Sequence, residues 1–291
     1  MSNIFQNGTI IAQKGFFCYS VPPETENNRR TFQRLRPQTF RTRGIIIMAN
    51  IIDRARDIFN PRDDNDRLPD YVITEIQEII RQNDNPIPSS TPLDELCFAV
   101  LDVETTGFHH KKGDEIIEVG SVIIEGGVIE RDKTFHQLVY PYRHVPDHIH
   151  ELTGIPREML VDGLSFFGIL QQLLKFIGGN IIVGHNIHFD LGFINPKLKK
   201  YYRTRIRNRA IDTIALARSL HIQSKGFSLD NLLAFYGIEP AGRHTALGDA
   251  FLTAELFIRL MAALKKNHIS TLAGLDIHLQ HHNRSVDAKT V

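Results

Sequence analysis

"FAVLDVETTG", residues 98–107, opens with four apolar residues and closes on Thr-Thr-Gly, with Asp102 and Glu104 in its second half. The apolar opening reads as a buried β-strand. Side chains on a strand repeat with period two, so both carboxylates point to one face. Two like charges on a buried face repel each other and lose hydration. A strand that carries such a pair needs a compensating charge, and the rest of the sequence must supply it.

The strand has company. Apolar runs predict further strands near 115–124, 131–139, 180–185 and 208–212, with the first one spanning 97–104. Gly126-Gly127 marks a hairpin turn between the second and third. Helical periodicity fills 165–178, 189–200, 213–221, 228–236 and 245–265. A three-strand meander followed by strand–helix alternation predicts an α/β fold, a mixed sheet flanked by helices. "HVPDHIHELTGIPREML" (144–160) reads as a connecting scaffold segment.

This main domain is expected over 95–268. Residues 1–47 carry a basic cluster, Arg29 to Arg43, without sustained periodicity and read as mostly disordered; Met48 is a second candidate initiator. Residues 48–94 predict a helical arm and linker, with apolar spacing at Ile51, Ile52, Ala55, Ile58 and Phe59, then at Val72, Ile73, Ile76, Ile79 and Ile80. "QNDNPIPSSTP" (82–92) is linker-like. Residues 269–291 are expected as a C-terminal tail, of which "HLQHHNRSVDAKTV" (278–291) reads as loose, its histidines lacking a regular ligand spacing.

Composition is that of an ordinary globular chain: 42% hydrophobic, 23% charged, net charge +1 over 291 residues. Global charge therefore announces no nucleic-acid partner. Two cysteines, Cys18 and Cys97, with no paired spacing, exclude structural zinc on cysteine and a disulfide framework, and fit a reducing, cytoplasmic setting. The longest apolar run, "GIIIMANII" (44–52), is too short to span a bilayer.

Two other motifs carry acids where a purely structural reading struggles. "IIVGHNIHFD" (181–190) ends a short apolar strand in a polar turn and places Asp190 at a helix start. "RHTALGDA" (243–250) spaces His244 and Asp249 five apart. Within one regular helix that pair diverges by roughly 140°. They converge if His244 precedes the helix and Asp249 lies in its first turns, with Thr245 as N-cap. Four converging acids require a counter-charge, and oxygen-only ligands point to Mg²⁺ or Mn²⁺. Two such ions about 3.5–4 Å apart clamp the attacking and leaving oxygens of a phosphoryl displacement. A histidine titrating near neutrality is suited to take the proton from an attacking water.

"LDVETTG", "GHNIHFD" and "HTALGDA", in this order and separation, resemble the three motifs of the DnaQ-like (DEDDh) 3′-to-5′ exonucleases. The resemblance covers about 95–268 and implies a ribonuclease H-like fold. It implies that Asp102, Glu104, Asp190 and Asp249 bind two metal ions and that His244 is the general base. It extends to Thr105 and Thr106 as contacts to the terminal nucleotide, to Phe108 as a wedge against terminal bases, and to His185 and Asn186 as substrate contacts. Asp212 and Thr213 suit a helix start and read as structural, and His188 is expected to point elsewhere.

The implied activity is release of nucleoside monophosphates from single-stranded or frayed 3′ DNA ends, as in proofreading or repair, with a DNA polymerase as a partner. RNA trimming, or a non-catalytic tethering module of the same fold, stays open at this point. "KLKKYYRTRIRNR" (197–209), seven basic residues without an acid, reads equally as a phosphate track with Tyr201 or Tyr202 stacking on bases and as a solvated helix end.

Overall fold

The computed structural model describes residues 68–287, with side chains described as far as 282. The expected first helix of the arm, the leading basic segment and Met48 lie outside the described residues.

Helix α1 (Asp70–Asn83) is followed by β1 (Cys97–Thr105), β2 (Ile116–Glu125) and β3 (Val128–Leu138). Two short helices, α2 (Asp147–Thr153) and α3 (Arg157–Val161), lead to α4 (Phe166–Ile177). Then come β4 (Ile181–Gly184), α5 (Ile187–Tyr202), β5 (Ala210–Asp212), α6 (Thr213–Ser219), α7 (Leu229–Tyr236), α8 (Ala246–Lys266) and α9 (Leu272–Asp287). The five strands form one sheet in the order β3-β2-β1-β4-β5. Strands β1, β2 and β3 pair antiparallel, whereas β4 and β5 add to β1 in parallel. The hairpin turns at Gly126 and Gly127, both at positive φ, where glycine bears no Cβ penalty.

Period-two alternation along β1 divides the core. Ala99, Leu101 and Val103 face α1, α4 and α5; Phe98 and Val100 face α6, α7, α8 and α9. Helix α1 contributes the buried residues Ile76, Ile79 and Ile80, so the arm packs as part of the first layer. Helices α2 and α3 cover Ile117 with Ile149 and Leu160. No described helix is long and apolar enough to cross a membrane.

Two sequence expectations change. The tail read as loose from 278 onward is helical as far as Asp287, in a helix whose earlier residues Leu272 and Leu275 are buried against the second core layer. The tyrosine pair of 197–209 is structural rather than a stacking platform. Tyr202 is 2% exposed, and Tyr201 meets Phe167 edge-on at 4.9 Å. Neighbouring cations are paired as well: Arg207 with Asp84 at 3.1 Å, and Arg209 with Asp276 of α9.

Candidate active site

The acids stand where β1 leaves the apolar layers. Asp102 and Glu104 lie on the face of β1 shared by Phe98 and Val100, as period two requires, and Val103 between them is buried on the other face. In the β1–β2 register Asp102 sits opposite Gly120. A Cβ at Gly120 would overlap the Ala246 backbone, so the missing side chain lets the first turn of α8 lie directly on the sheet beside Asp102. Glu118, 2% exposed, fixes that approach. Its Oε2 accepts from the Ala246 N–H at 2.9 Å, and its Oε1 pairs with His136 Nε2 at 2.6 Å. A carboxylate at a helix N-terminus satisfies an orphan donor and the dipole together.

The loop before α8 has the shape that the spacing of His244 and Asp249 requires. Thr245 is the N-cap; its Oγ1 accepts from the Gly248 N–H at 3.1 Å and donates to the Gly242 carbonyl at 2.9 Å. Gly242 and His244 both have positive φ, 81° and 64°, which turns the chain sharply ahead of the cap. A Cβ at Gly248 would overlap the Gly242 carbonyl, so this tight turn also depends on a glycine inside the helix. His244 thereby precedes the helix, with Asp249 in the first turn that follows.

Asp190 arrives from the opposite layer. Strand β4 pairs with β1 only as far as Val100↔Val183, so β1 beyond that point has an open edge. The Val103 N–H on that edge donates to Asp190 Oδ1 at 3.0 Å. Asp190 is 3% exposed and sits in the first turn of α5, which follows β4 after two residues, His185 and the left-handed Asn186 (φ 66°).

Asp102, Glu104 and Asp249 each offer an oxygen, and these atoms lie within 4.8 Å of one another. Asp190 stands just outside that trio but is the largest neighbouring charge felt by Asp102. Burial first, and then mutual repulsion, pushes the carboxyl of Asp102 well above the usual range and that of Glu104 up to about 7. The Asp190 carboxyl is also pushed well up, mainly by burial. Asp249 is raised by burial against the opposing pull of Arg243. Asp249 Oδ1 is buried without a hydrogen-bond partner. A buried acceptor left unmatched amid three other acids is what a hard divalent cation would satisfy.

Arg243 was not singled out by the sequence. Its Nη1 pairs with Asp249 Oδ2, and its Nε donates to Asp230 Oδ1 at 2.6 Å, tying the site to α7. The one available signal was a lone cation next to His244 in "RHTALGDA".

The other sequence candidates are distributed around this centre. Thr105 and Thr106 are buried, and their hydroxyls close the loop beyond β1. Thr105 Oγ1 donates to the Gly107 carbonyl at 2.7 Å, and Thr106 Oγ1 accepts from the Glu115 N–H at 3.0 Å. The Thr106 N–H is likewise used, by the Glu115 carbonyl at 2.8 Å. Phe108 is 77% exposed and is the outermost ring of a row that continues through Phe189, 6.1 Å away, to Phe193.

His185 is half-buried, with Nδ1 at 2.9 Å from Thr213 Oγ1, Nε2 buried without a partner, and its pKa lowered chiefly by burial. Asn186 and His188 are exposed. Asp212 has the structural role expected of it, accepting from the Ile214 N–H at 2.8 Å as N-cap of α6 and from the Asn186 N–H at 3.2 Å.

Comparison with known proteins bears on this arrangement. Residues 99–257 match the family model RNase_T, described as "Exonuclease". The chain is 41% identical over 167 residues to the DNA polymerase III subunit epsilon of Aquifex aeolicus, covering 57% of this chain and 81% of that protein. It is 34% identical over 204 residues to the same-named subunit of Rickettsia typhi, covering 65% of this chain and 88% of that protein. It is also 35% identical to the DNA polymerase III PolC-type of Thermotoga maritima, covering 71% of this chain but only 14% of that protein's length. The solved nuclease domain of 3′hExo, a DEDDh family member bound to rAMP, superposes with a TM-score of 0.51 over 59% of this chain and 94% of that one. At 19% identity that likeness bears on the fold alone, a ribonuclease H-like mixed sheet flanked by helices. The acids of β1 and α8 both lie within the matched span, and the chain belongs to the exonuclease family.

Proposed function

We propose that this chain is a two-metal-ion 3′-to-5′ exonuclease that releases nucleoside monophosphates from single-stranded or frayed 3′ ends of DNA, in replication proofreading or repair. The observation that carries it is the gathering of Asp102, Glu104 and Asp249, with an unmatched buried oxygen on Asp249. Similarity to the epsilon subunits supports the polarity and the DNA substrate. The reading assigns the catalytic unit to 95–268, flanked by the arm 48–94 and the tail 269–291. It assigns the protein to the cytoplasm and gives it a DNA polymerase as partner.

In this reading Asp102, Glu104, Asp190 and Asp249 hold the ions, Mg²⁺ or Mn²⁺. Bound there, the ions would neutralise the acids and stabilise charge on the attacking and leaving oxygens of the scissile phosphate. His244, held at the mouth of the site by the Gly242–Thr245 turn, takes the proton from the attacking water. Phe108 offers a face for the terminal base. Asn186 and the loop closed by Thr105 and Thr106 border the nucleotide, and His185 braces that border from its half-buried position.

The test is a 3′-labelled DNA strand incubated with Mg²⁺, with products sized at early times. Stepwise mononucleotide release by the wild type and its loss in Asp102→Ala is the expected result. Equal behaviour of the two proteins would return the chain to a non-catalytic nucleic-acid module. Matched RNA and DNA strands in the same assay separate trimming of RNA from trimming of DNA, and co-purification with polymerase reads the partner.

A further inference from the structure

The sequence offered His278, His281 and His282 as irregular tail residues, but the helical course of α9 changes their geometry. His278 and His282 are four apart on one helix, which stacks them on one face a turn apart. That face continues the apolar stripe of Leu272, Leu275 and Leu279, which packs against the second core layer. The stripe therefore ends in two imidazoles where the helix meets α6.

A third imidazole comes from the other side. His221 follows α6 in a left-handed turn (φ 54°), and its N–H is tied to the Arg218 carbonyl at 3.0 Å. Its ring meets that of His282 edge to face, with centroids 5.9 Å apart. Nε2 of His278 is sealed from solvent and has no hydrogen-bond partner; the Ser219 carbonyl acts on the ring without closing a bond to that atom. A buried ring nitrogen without a partner is costly unless something else satisfies it. Burial and the neighbouring imidazoles lower the pKa of His278, which favours the neutral, ligating form.

We propose that His278 and His282, with His221 closing from the α6 turn, form a second metal site that takes a borderline transition ion such as Zn²⁺, Cu²⁺ or Ni²⁺ and pins α9 to α6. Nitrogen donors select these ions over Mg²⁺, which prefers oxygen. His221 is exposed, and its side chain must rotate toward the pair on α9 for the three to converge, since among the described residues only the carboxylate trio already does so. The site is chemically distinct from the carboxylate centre and independent of what that centre hydrolyses.

The experiment is titration of the full chain with Cu²⁺, followed by electron paramagnetic resonance. Imidazole ligation gives nitrogen superhyperfine splitting that oxygen ligands do not produce. The expected result is one equivalent of nitrogen-coupled Cu²⁺, retained in Asp102→Ala and weakened about tenfold or more in both His278→Gln and His282→Gln. His221→Gln, an exposed change, guards against a packing defect at His278 and is expected to weaken binding too.

In the Asp102→Ala background, Zn²⁺ at about a hundred times its Kd is expected to raise the unfolding midpoint by roughly 5 °C. That shift is expected to vanish in His282→Gln. Nitrogen coupling that survives both His278→Gln and His282→Gln, or that disappears in Asp102→Ala, would overturn the proposal.

Discussion

Replacing Arg243 by Gln should destabilise the chain in EDTA and yet strengthen its hold on divalent cations. Arg243 and Asp249 are 18% and 9% exposed at their side chains, so their pair is largely desolvated. Removing one partner of a buried pair costs about 3–5 kcal/mol, because the other charge is left unmatched. The second partner, Asp230, is 63% exposed and adds little. Asp249 softens the loss by taking up a proton, since burial already raises its pKa. At pH 8 in EDTA a loss of about 3 kcal/mol corresponds to a fall in Tm of roughly 6–12 °C. A divalent ion supplies the missing charge, so millimolar Mg²⁺ should recover most of that loss. The guanidinium also repels an incoming cation, so Mn²⁺ should bind roughly tenfold tighter to Arg243→Gln, as read from the signal of free Mn²⁺ in spin resonance. Equal stability in EDTA, or weaker Mn²⁺ binding by the variant, would refute the reasoning and leave Arg243 as an aligning strut for Asp249.

Further outcomes follow from other parts of the site. Gly120→Ala should displace the start of α8 from the sheet, because the new Cβ overlaps Ala246; Mn²⁺ affinity and nuclease rate should fall together, with a loss of about 2 kcal/mol or more in urea unfolding. Phe108→Ala should leave stability within about 0.5 kcal/mol, since the ring is 77% exposed, but weaken single-strand binding by about 1–3 kcal/mol, measured by fluorescence anisotropy. Burial raises the carboxyl pKa values of Asp102, Glu104, Asp190 and Asp249 in the folded chain, with repulsion adding to it at the first three, and that of Glu104 reaches about 7. The native state therefore binds more protons than the unfolded one between about pH 4 and 7, so stability in EDTA should decline as pH rises through that window. Metal binding releases those protons, so apparent Mg²⁺ affinity should climb over the same range; unfolding midpoints at several pH values with EDTA or Mg²⁺ check both trends.

The strands and helices around the site were legible because each is bounded by a strong local signal. Apolar runs ended at acids or glycines in β1 and β4, and Thr245 announced the start of α8. The close approach of α8 to the sheet was not legible. Glu118 and Gly120 carry no local signal of it, because the Ala246 N–H that Glu118 accepts from lies 128 residues further along the chain. The Asp230–Arg243–Asp249 chain is closer in sequence, 13 and 6 residues apart, but it depends on α7 meeting the turn before α8, which no local pattern announces. Helix α9 was missed because Gln280, His281 and Asn283 dilute an apolar pattern whose value comes from burial against α6 and α8. Tyr202 misled in the other direction, since a basic neighbourhood suggested a surface and packing decided otherwise.

The short pairing of β4 makes one amide informative. The Val103 N–H is held by the carboxylate of Asp190 and not by a strand carbonyl, so its protection from hydrogen exchange depends on where that side chain points. An ion taken by Oδ1 of Asp190 must loosen this bond or share its acceptor, whereas one taken by Oδ2 leaves it in place. Exchange at this single backbone position therefore reports how the fourth acid is engaged, and it does so without substrate, turnover or a label.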